Sequence, residues 1–386
     1  MAEAAHVSHW LLTEALQITD LGSALKQLCV RIVAVGVPLA RATTSVQLLH
    51  ANSDGVGREW RQGEAMVERL YSYGPDSEAE YRRSPFAAAH ATGRWVDLWL
   101  PTTPDATYSI VPELKRDGFG HYLCVPVTFS TGRQRNGITF ATRAPDRFSE
   151  AHIAFLVAIL PALRAVVEVR AANRMLDDVL HTYVGGDPRR RILAGDVHRG
   201  AVTRIRSAIL FSDLRGFTDL TMRLSEEAIA DLLNRYFDAM VPEIEARGGE
   251  ILKFIGDGIL AIFQERDGVD GAADACNAAL AAADAGLAAL ADENRIDSVA
   301  GELRAGIALH HGEAAYGNVG SGQRLDFTVI GRDVNIANRL TRLNGPLAQP
   351  ILMSAAFATY QTGRTRTIGR HKLKDMPGDM ELYVPG

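Results

Sequence analysis

Two aspartates stand where the sequence brings a carboxylate close to free backbone N–H groups. Asp213 follows the apolar run 208–211, which is typical of a strand buried on both faces, and precedes a glycine-containing turn and helical sequence. A carboxylate there can hold a hard cation, while the N–H groups of the turn donate to phosphate oxygens. The pattern suits a metal-bound polyphosphate, although capping of the turn explains Asp213 better when it is taken alone.

The second aspartate, Asp257, lies at the tip of a predicted hairpin. Asp-Gly is also the dipeptide that turn geometry selects, so Asp257 gains interest only from its neighbours. Lys253 lies four residues earlier on the first strand, where we expect it to share a face with Ile251 and Ile255. A solvated strand lysine is the ordinary interpretation of that residue.

A third set of polar residues lies in the segment 326–340, which reads as a strand, a turn and a helix. Asp333 is a natural N-cap for that helix. Asn335 and Arg339, four residues apart, present an amide and a guanidinium on one helix face. Such a pair can orient a ribose and clamp a phosphate, although a surface Asn and Arg would give the same pattern. The opposite, buried face is predicted to consist of Ile336, Leu340 and Leu343.

An alternation of strands and helices must position these residues. Ser225 is a predicted N-cap, with acidic residues in the first turn of a helix that ends at Pro242. The other predicted elements are the hairpin strands Glu250 to Ile255 and Ile259 to Phe263, a helix from Gly271 to Asp292, and the strand pair Leu303 to Leu309 and Ala314 to Gly317. The order predicts a second α+β domain over residues 203–386.

The first 172 residues predict a separate α+β domain. It combines an amphipathic helix over 24–35 with strand-like runs over 121–129 and 136–143. Residues 173–202 are predicted to form a signalling helix and linker between the two domains. The three arginines 189–191, after the helix breaker Gly185 to Pro188, predict a solvated basic turn.

A long helix is predicted from His152 to Val184, with a kink at Pro161. Its apolar residues alternate spacings of four and three, which is the repeat of a helix that faces a partner helix. The same residues would serve equally well to pack the helix on its own domain. They are Ala165, Val169, Ala172, Leu176, Val179 and Tyr183.

Size, charge and cysteine content limit the classes of function. The chain has 386 residues, which suits two domains, and a formal net charge of -5, which argues against a nucleic-acid partner. The 3 cysteines are far apart and predict neither a disulfide framework nor a CxxC site. The first residues lack a signal-peptide pattern, and the apolar run 153–163 is too short to span a bilayer. We therefore expect a cytoplasmic protein with no membrane partner.

Three motif blocks together resemble the class III adenylyl and guanylyl cyclases. FSDLRGFT at 211–218, LKFIGDG at 252–258 and DFTVIGRDVNIANRL at 326–340 match the blocks of that family in order and spacing. The match covers residues 204–383, and the closing LKDMPGDMELYV resembles the last strands of the family. The resemblance implies a ferredoxin-like catalytic domain that converts ATP to 3′,5′-cyclic AMP and pyrophosphate.

The resemblance also implies a role for each matched residue. Asp213 and Asp257 match the aspartates that hold two Mg²⁺ or Mn²⁺ ions per site, with the backbone carbonyl of Leu214 as a further ligand. Asn335 and Arg339 match the pair that contacts the transition state. The residues matched to the phosphates are Gly216, Phe217 and Thr218 through their amides, and Lys374 through its side chain.

The base-reading pair matches Lys253 and Thr328. Lysine at the first position favours adenine, because guanylyl cyclases of the family usually carry Glu there and Cys at the second position. Threonine at the second position departs from the commonest aspartate but occurs in a subclass of bacterial adenylyl cyclases. A shifted alignment would instead give this role to Asp326.

In the family, two subunits complete each active site, so the resemblance implies a homodimer. Specificity for GTP or a pyrimidine nucleotide, or a nucleotide-binding signalling module without catalysis, are the alternative functions. Residues 1–172 resemble a GAF sensory domain, which implies regulation by a small-molecule or protein signal of unknown identity. A generic α+β dimerisation domain is the alternative for this half.

Overall fold

The computed structural model describes residues 2–50, 53–130, 132, 135–296, 302–361, 363 and 365–386. The chain forms two compact units, Met1–Thr182 and Tyr183–Gly386, which divide within one long helix. Each unit mixes helices and strands, as the α+β prediction requires.

The first unit is built on a six-stranded antiparallel sheet with the strand order β3-β2-β1-β6-β5-β4. Its strands are β1 (Arg41–His50), β2 (Ser53–Arg61), β3 (Val67–Tyr71), β4 (Val96–Trp99), β5 (His121–Val127) and β6 (Asn136–Thr142). Its helices are α1 (Ala2–Thr13), α2 (Leu21–Ala34), α3 (Pro75–Arg82), α4 (Pro85–Thr92), α5 (Val111–Arg116) and α6 (Glu150–Val184).

Helix α6 continues without interruption through Pro161. Its length and composition would allow it to cross a membrane, which is weak evidence because core helices of soluble proteins have the same properties. Leu156, Ile159 and Leu163 are buried in the main core of the first unit, together with side chains of α1 and α2. Within its own unit, α6 is therefore a core helix for its first half.

The second unit contains an eight-stranded sheet with the order β13-β14-β12-β10-β7-β9-β8, and β11 pairs with β10 beside this path. Its strands are β7 (Val202–Leu214), β8 (Glu250–Ile255), β9 (Gly258–Gln264), β10 (Ala305–Gly320), β11 (Leu325–Ile330), β12 (Ile351–Ser354), β13 (Thr365–Lys372) and β14 (Asp379–Pro385). Its helices are α7 (Gly186–Leu193), α8 (Phe217–Thr221), α9 (Glu226–Glu245), α10 (Gly271–Ile296), α11 (Arg332–Asn344) and α12 (Ala355–Ala358).

Strand β7 is buried on both faces of this sheet, as its continuous apolar run predicts. Ala208 and Leu210 pack on the side of α9 and α10, whereas Ile209 and Phe211 pack on the side of α11. The sheet is therefore the middle layer between two helical layers. Its central strands carry the chain to the edge where the first motif block ends.

Three elements differ from the sequence prediction. Helix α9 continues past Pro242 to Glu245, because Ile244 is fully buried and extends the apolar stripe of the helix. The predicted strand pair is one continuous strand, β10, which pairs with β7 from Ala305 to Gly317. The long-range pairing with β7, which local patterns do not show, holds the polar middle of β10 in the sheet.

The predicted basic turn at 189–191 is instead part of helix α7. Asp187 in its first turn accepts from Arg190 at 3.0 Å and from Arg191 at 2.7 Å, one helical turn away. The Arg191 guanidinium also lies 4.9 Å from the ring centroid of Tyr316. These partners stabilise a short helix that composition alone would place in solvent.

Candidate active site

The structure brings the two predicted metal-binding aspartates together. Asp213 is the penultimate residue of β7, and Asp257 lies in the turn between β8 and β9, next to β7. Gly256 supplies the left-handed backbone of this turn, with φ of 61°. The Leu214 backbone N–H donates to a carboxylate oxygen of Asp257 over 3.1 Å. Both carboxylates therefore lie at one edge of the sheet.

A buried pair of hydroxyl groups fixes the end of β7 against α9. The Ser212 hydroxyl lies 2.7 Å from the Tyr236 hydroxyl, and both residues are fully buried. Burial also raises the pKa of Tyr236, so this phenol stays neutral. The contact ties β7 to α9 one residue before Asp213.

Arg215 is a neighbour of this site that the sequence reasoning did not include. Its guanidinium forms an ion pair with Asp213 and donates to the Thr341 carbonyl of α11 over 3.3 Å. A side chain at Gly306, the strand partner of Asp213, would overlap this guanidinium. Burial lowers the pKa of Arg215. Its cue in the sequence was a cation two residues after the predicted metal-binding carboxylate.

The predicted phosphate-binding amides begin helix α8 directly after the aspartate. Gly216 has φ of 74° and is the N-cap of this helix, and Phe217 and Thr218 are its first residues. The N–H groups of Asp219 and Leu220 donate to the Gly216 carbonyl, each at 3.1 Å. The three preceding N–H groups belong to the first turn, where a helix offers no internal acceptor.

The oxygens at this edge suit a hard divalent cation. Asp213 and Asp257 supply carboxylates, and the Leu214 carbonyl is available between them in sequence. Within the described ranges, no group of three or more His, Cys, Asp or Glu side chains is arranged to hold a metal. Two carboxylates are nevertheless the usual protein share of a Mg²⁺ site that substrate phosphates and water complete.

The sequence predicted that Lys253 shares a face with Ile251, and this prediction is wrong. Ile251 pairs with Ala261 and Lys253 with Leu260, so Leu252 is an extra residue that makes a β-bulge. Ile251 therefore lies on the side of α9, whereas Lys253 lies with Leu260 on the other side of the sheet. The part of the prediction that placed Lys253 with Ile255 agrees with the alternation after the bulge.

The ammonium group of Lys253 forms an ion pair with Asp326 of β11. Phe327 and Val329 are buried, so Asp326 and the half-buried Thr328 lie together on the opposite face of β11. Both candidate partners of Lys253 are thus on one face, and Asp326 is the one in contact with it.

Asn335 and Arg339 lie on α11, as predicted, and Ile336 and Leu340 form its buried face. Arg339 donates to the Lys374 carbonyl over 2.5 Å, and its guanidinium lies 3.9 Å from Asp375. The predicted triphosphate lysine therefore stands beside the predicted transition-state arginine. The side chains of Asn335 and Lys374 are exposed.

Asp333 is not the N-cap that the sequence predicted, because Gly331 holds that position. The Asp333 carboxylate instead accepts from the Glu313 backbone N–H at 2.8 Å and lies 3.5 Å from His310. The hydrogen bond from His310 lowers the pKa of Asp333. These contacts fix the first turn of α11 against the middle of β10.

Within one chain, the first turn of α11, which carries Asn335, lies far from Asp213. Asp333 contacts Glu313, which pairs with Arg206, seven residues before Asp213 on β7. At 3.3 Å per residue, this end of α11 lies about 20 Å from Asp213. Asn335 lies two residues, about half a helical turn, further along α11.

A half-buried acid, Glu250, lies at the start of the strand that carries Lys253. The Tyr316 hydroxyl donates to the Glu250 carboxylate over 2.8 Å, and desolvation by burial raises the pKa of Glu250 to about 7. The nearby carboxylate of Asp187 in α7 also favours the neutral form of Glu250. No local pattern indicates this pair, since its two residues are 66 positions apart.

Comparison with known proteins agrees with this geometry. Residues 203–384 match the model of the adenylate and guanylate cyclase catalytic domain. The adenylate cyclase of Anabaena cylindrica is 33% identical over 162 residues, which are 41% of this chain and 31% of that protein. Adenylate cyclase 1 of Rhizobium meliloti is 26% identical over 249 residues, 63% of this chain and 37% of that protein. This chain thus spans about a third of the length of the curated relatives that it matches.

A solved structure is similar to about half of the chain. The crystal structure of the adenylyl cyclase CyaB from P. aeruginosa is 29% identical and covers 48% of this chain and 96% of that chain, with a TM-score of 0.44. The family match spans all three motif blocks and the edge where Asp213 and Asp257 meet. Residues 203–384 are therefore similar to the adenylate and guanylate cyclase catalytic domain across all three motif blocks.

Proposed function

We propose that this domain converts ATP to 3′,5′-cyclic AMP and pyrophosphate, as a phosphorus–oxygen lyase that is active as a homodimer with two metal ions per site. The observation that carries the proposal is the hydrogen bond from the Leu214 N–H to Asp257, which sets the second carboxylate beside Asp213. That pair lies directly before the amides of α8. Carboxylates and free amides at one edge suit a metal-bound triphosphate.

The reaction is an in-line attack of the ribose 3′ oxygen on the α-phosphorus, with pyrophosphate leaving. Bound Mg²⁺ or Mn²⁺ would lower the pKa of the attacking hydroxyl and neutralise the leaving group. Asp213 and Asp257 hold these ions, and the amides of Gly216 to Thr218 bind phosphate oxygens. Arg339 stabilises the charge that develops on the α-phosphoryl group, and Asn335 orients the ribose.

The position of Asn335 supports a site shared between two chains. Its end of α11 lies about 20 Å from Asp213 of the same chain, as derived above from the strand register. A second copy related by a two-fold axis would bring its own Asn335 and Arg339 to the aspartates of the first. Each dimer would then contain two equivalent sites.

Helix α6 provides a surface on which the copies can pair. Val169, Leu176 and Tyr183 are 43%, 52% and 83% exposed, and they are spaced by seven residues. A seven-residue spacing of apolar side chains keeps one seam facing a partner helix. This exposure favours pairing across the dimer over packing within one chain for the second half of α6.

The contact of Lys253 supports adenine as the base and Asp326 as the second base-reading residue. A lysine donates to the N1 acceptor of adenine, and a carboxylate accepts from the exocyclic amino group. The ion pair with Asp326 already fixes Lys253 on the face that carries both candidates. Thr328, two residues along the same strand, lies beside this pair.

The first unit serves as the regulatory domain in this proposal. Its antiparallel sheet of order β3-β2-β1-β6-β5-β4 with flanking helices supports a GAF-like sensory fold. The sheet is followed by α6, which continues into the second unit. A signal bound by the first unit would act by changing the population of productive dimers.

The proposal is tested by incubating the full-length protein with Mn²⁺ and ATP, GTP, CTP or UTP, and by separating the cyclic products by chromatography. The control is the Asp257→Ala variant. Cyclic AMP from ATP alone, absent from the control, is the expected result. Cyclic GMP as the main product would contradict the assignment of the base, and no cyclic product from any nucleotide would contradict catalysis.

A further inference from the structure

A cavity of about 620 Å³ lies within the first unit, and none of its lining residues belongs to the candidate active site. Its floor is the face of the sheet opposite the main core. On β1, the side chain of Ala42 is buried in that core, whereas Thr43, Ser45 and Gln47 line the cavity. The volume is in the range of sites that enclose a small organic molecule.

The floor offers hydrogen-bonding groups. The Thr43 and Thr139 hydroxyls bond to each other, and the Gln47 amide donates to Asp54 over 3.3 Å. The half-buried Ser45 hydroxyl, between Thr43 and Gln47, has no hydrogen-bond partner among the residues that the structure describes. A hydroxyl both donates and accepts, so Ser45 can bond to either kind of group on a ligand.

The walls of the cavity are aromatic and lie close to glycines of the sheet. A Cβ on Gly57 would be only 2.7 Å from the Tyr71 hydroxyl, and a Cβ on Gly137 would overlap the ring of Phe86. Both rings therefore lie against bare backbone. Tyr81, under the guanidinium of Arg135 at 4.4 Å, adds a third ring to the lining. Aromatic walls of this kind stack on planar molecules.

The charged side chains in the interior of the lining already form ion pairs within the protein. Breaking a half-buried ion pair to serve a ligand is costly, so a charged ligand finds no free counter-ion in the interior of the cavity. Arg69 and Glu80 also line the cavity, but they are exposed and of opposite sign. The ion pairs of the interior join Arg41 with Glu59, Arg135 with both Glu78 and Asp54, and Glu113 with Arg61.

We propose that this cavity binds an uncharged, planar heteroaromatic molecule that carries a hydrogen-bond donor and an acceptor. The ring stacks among Tyr71, Tyr81 and Phe86, and its polar edge bonds to Ser45. This inference concerns binding by the first unit and does not depend on the reaction proposed for the second.

The test uses saturation-transfer NMR on the full-length protein with three probes of similar size. Indole-3-carboxamide is neutral and planar, indole-3-carboxylate is planar and anionic, and cyclohexanecarboxamide is neutral but not planar. Ser45→Trp fills the cavity, and Thr107→Trp places the same side chain at an exposed position outside it. Tyr81→Leu removes one ring of the wall and serves as a second variant should the Ser45 variant fail to fold.

Indole-3-carboxamide is expected to bind more tightly than either of the other probes. Its signal should be lost in Ser45→Trp and kept in Thr107→Trp, and its affinity should fall about fivefold in Tyr81→Leu. Equal binding of the carboxylate or of the cyclohexane amide would overturn the ligand class. No binding by any probe, or binding that survives both Ser45→Trp and Tyr81→Leu, would overturn the site.

Discussion

The backbone N–H of Leu214 donates a hydrogen bond of 3.1 Å to the carboxylate of Asp257. This contact joins the end of β7 to the β8–β9 turn, so Asp257, which is 43 residues from Leu214 in sequence, lies with Asp213 at one edge of the sheet. The register of β7 with β9 sets the position of the turn, and Gly256 allows its left-handed backbone. The proposed metal site is therefore a product of strand pairing.

Replacing Asp257 by Asn removes the negative charge of this residue and keeps the size and position of its side chain. The amide oxygen can still accept from the Leu214 N–H, so the fold should be kept, whereas loss of the charge weakens metal binding. We expect activity to fall about a hundredfold or more, with little change in melting temperature. Activity with Mn²⁺ and thermal unfolding measure the two effects. Near-normal activity in Asp257→Asn would contradict a role as a metal ligand.

Arg339 is predicted to act on the transition state. Arg339→Ala should lower kcat about a hundredfold or more with a smaller change in KM, because the guanidinium meets charge that develops during the reaction. Arg339→Lys is the matched variant, since it keeps a charge but loses the planar fork. Steady-state kinetics on both variants provide the measurement. A change confined to KM in Arg339→Ala would show a role in binding alone.

Base selection is predicted to depend on the Lys253–Asp326 pair. Lys253→Glu places two carboxylates together and removes the donor to adenine, so the preference for ATP over GTP should fall at least about tenfold. Competition between the two nucleotides measures this preference.

Comparing Asp326→Ala with Thr328→Ala identifies the second base-reading residue. The contact with Lys253 predicts that the Asp326 variant loses more of the ATP preference. The side chains are two residues apart on one strand face, so each variant controls for general damage in the other. A larger loss in Thr328→Ala would assign the role to Thr328.

Glu250 is expected to make the second unit less stable at high pH. Burial raises its pKa to about 7 in the folded protein, above the usual value of 4.5, so the folded state binds an extra proton between these values. Stability from this group is therefore full below about pH 4.5 and is lost as the pH rises through 7, by about 1 kcal/mol after allowance for partial exposure.

Thermal unfolding between pH 5 and pH 8 measures this dependence. Glu250→Gln should flatten the profile, because the amide has no proton to lose and can still accept from the Tyr316 hydroxyl. An unchanged slope in this variant would assign the pH dependence to other groups.

Local patterns predicted the elements whose cause is local. Ser225 caps α9 by accepting from the Ala228 N–H, and the hairpin of β8 and β9 forms around Asp-Gly, as their sequences indicate. The bulge at Leu252 and the continuity of β10 depend on distant partner strands, so a single strand gave no signal of them.

The same limit applied to the candidate site. The motif blocks identified Asp213, Asp257, Asn335 and Arg339 because residue type and spacing are visible in the chain. The ion pair of Arg215 with Asp213 joins the end of β7 to the turn that follows it. The hydrogen bond from Tyr316 to Glu250 joins β10 to β8. Their geometry is decided by packing, which the sequence pattern does not show.

Two chains are proposed to complete each active site, and mixing two inactive variants tests this sharing. Asp213→Ala and Arg339→Ala damage opposite halves of the proposed site. Random pairing should restore about a quarter of the wild-type activity, because half of the dimers would contain one intact site.

The matched control mixes Asp213→Ala with Asp257→Ala, which damage the same half and should stay inactive. Activity is expected to recover in the first mixture and not in the second. No recovery in the first mixture, from variants that are folded and exchange subunits, would contradict a shared site.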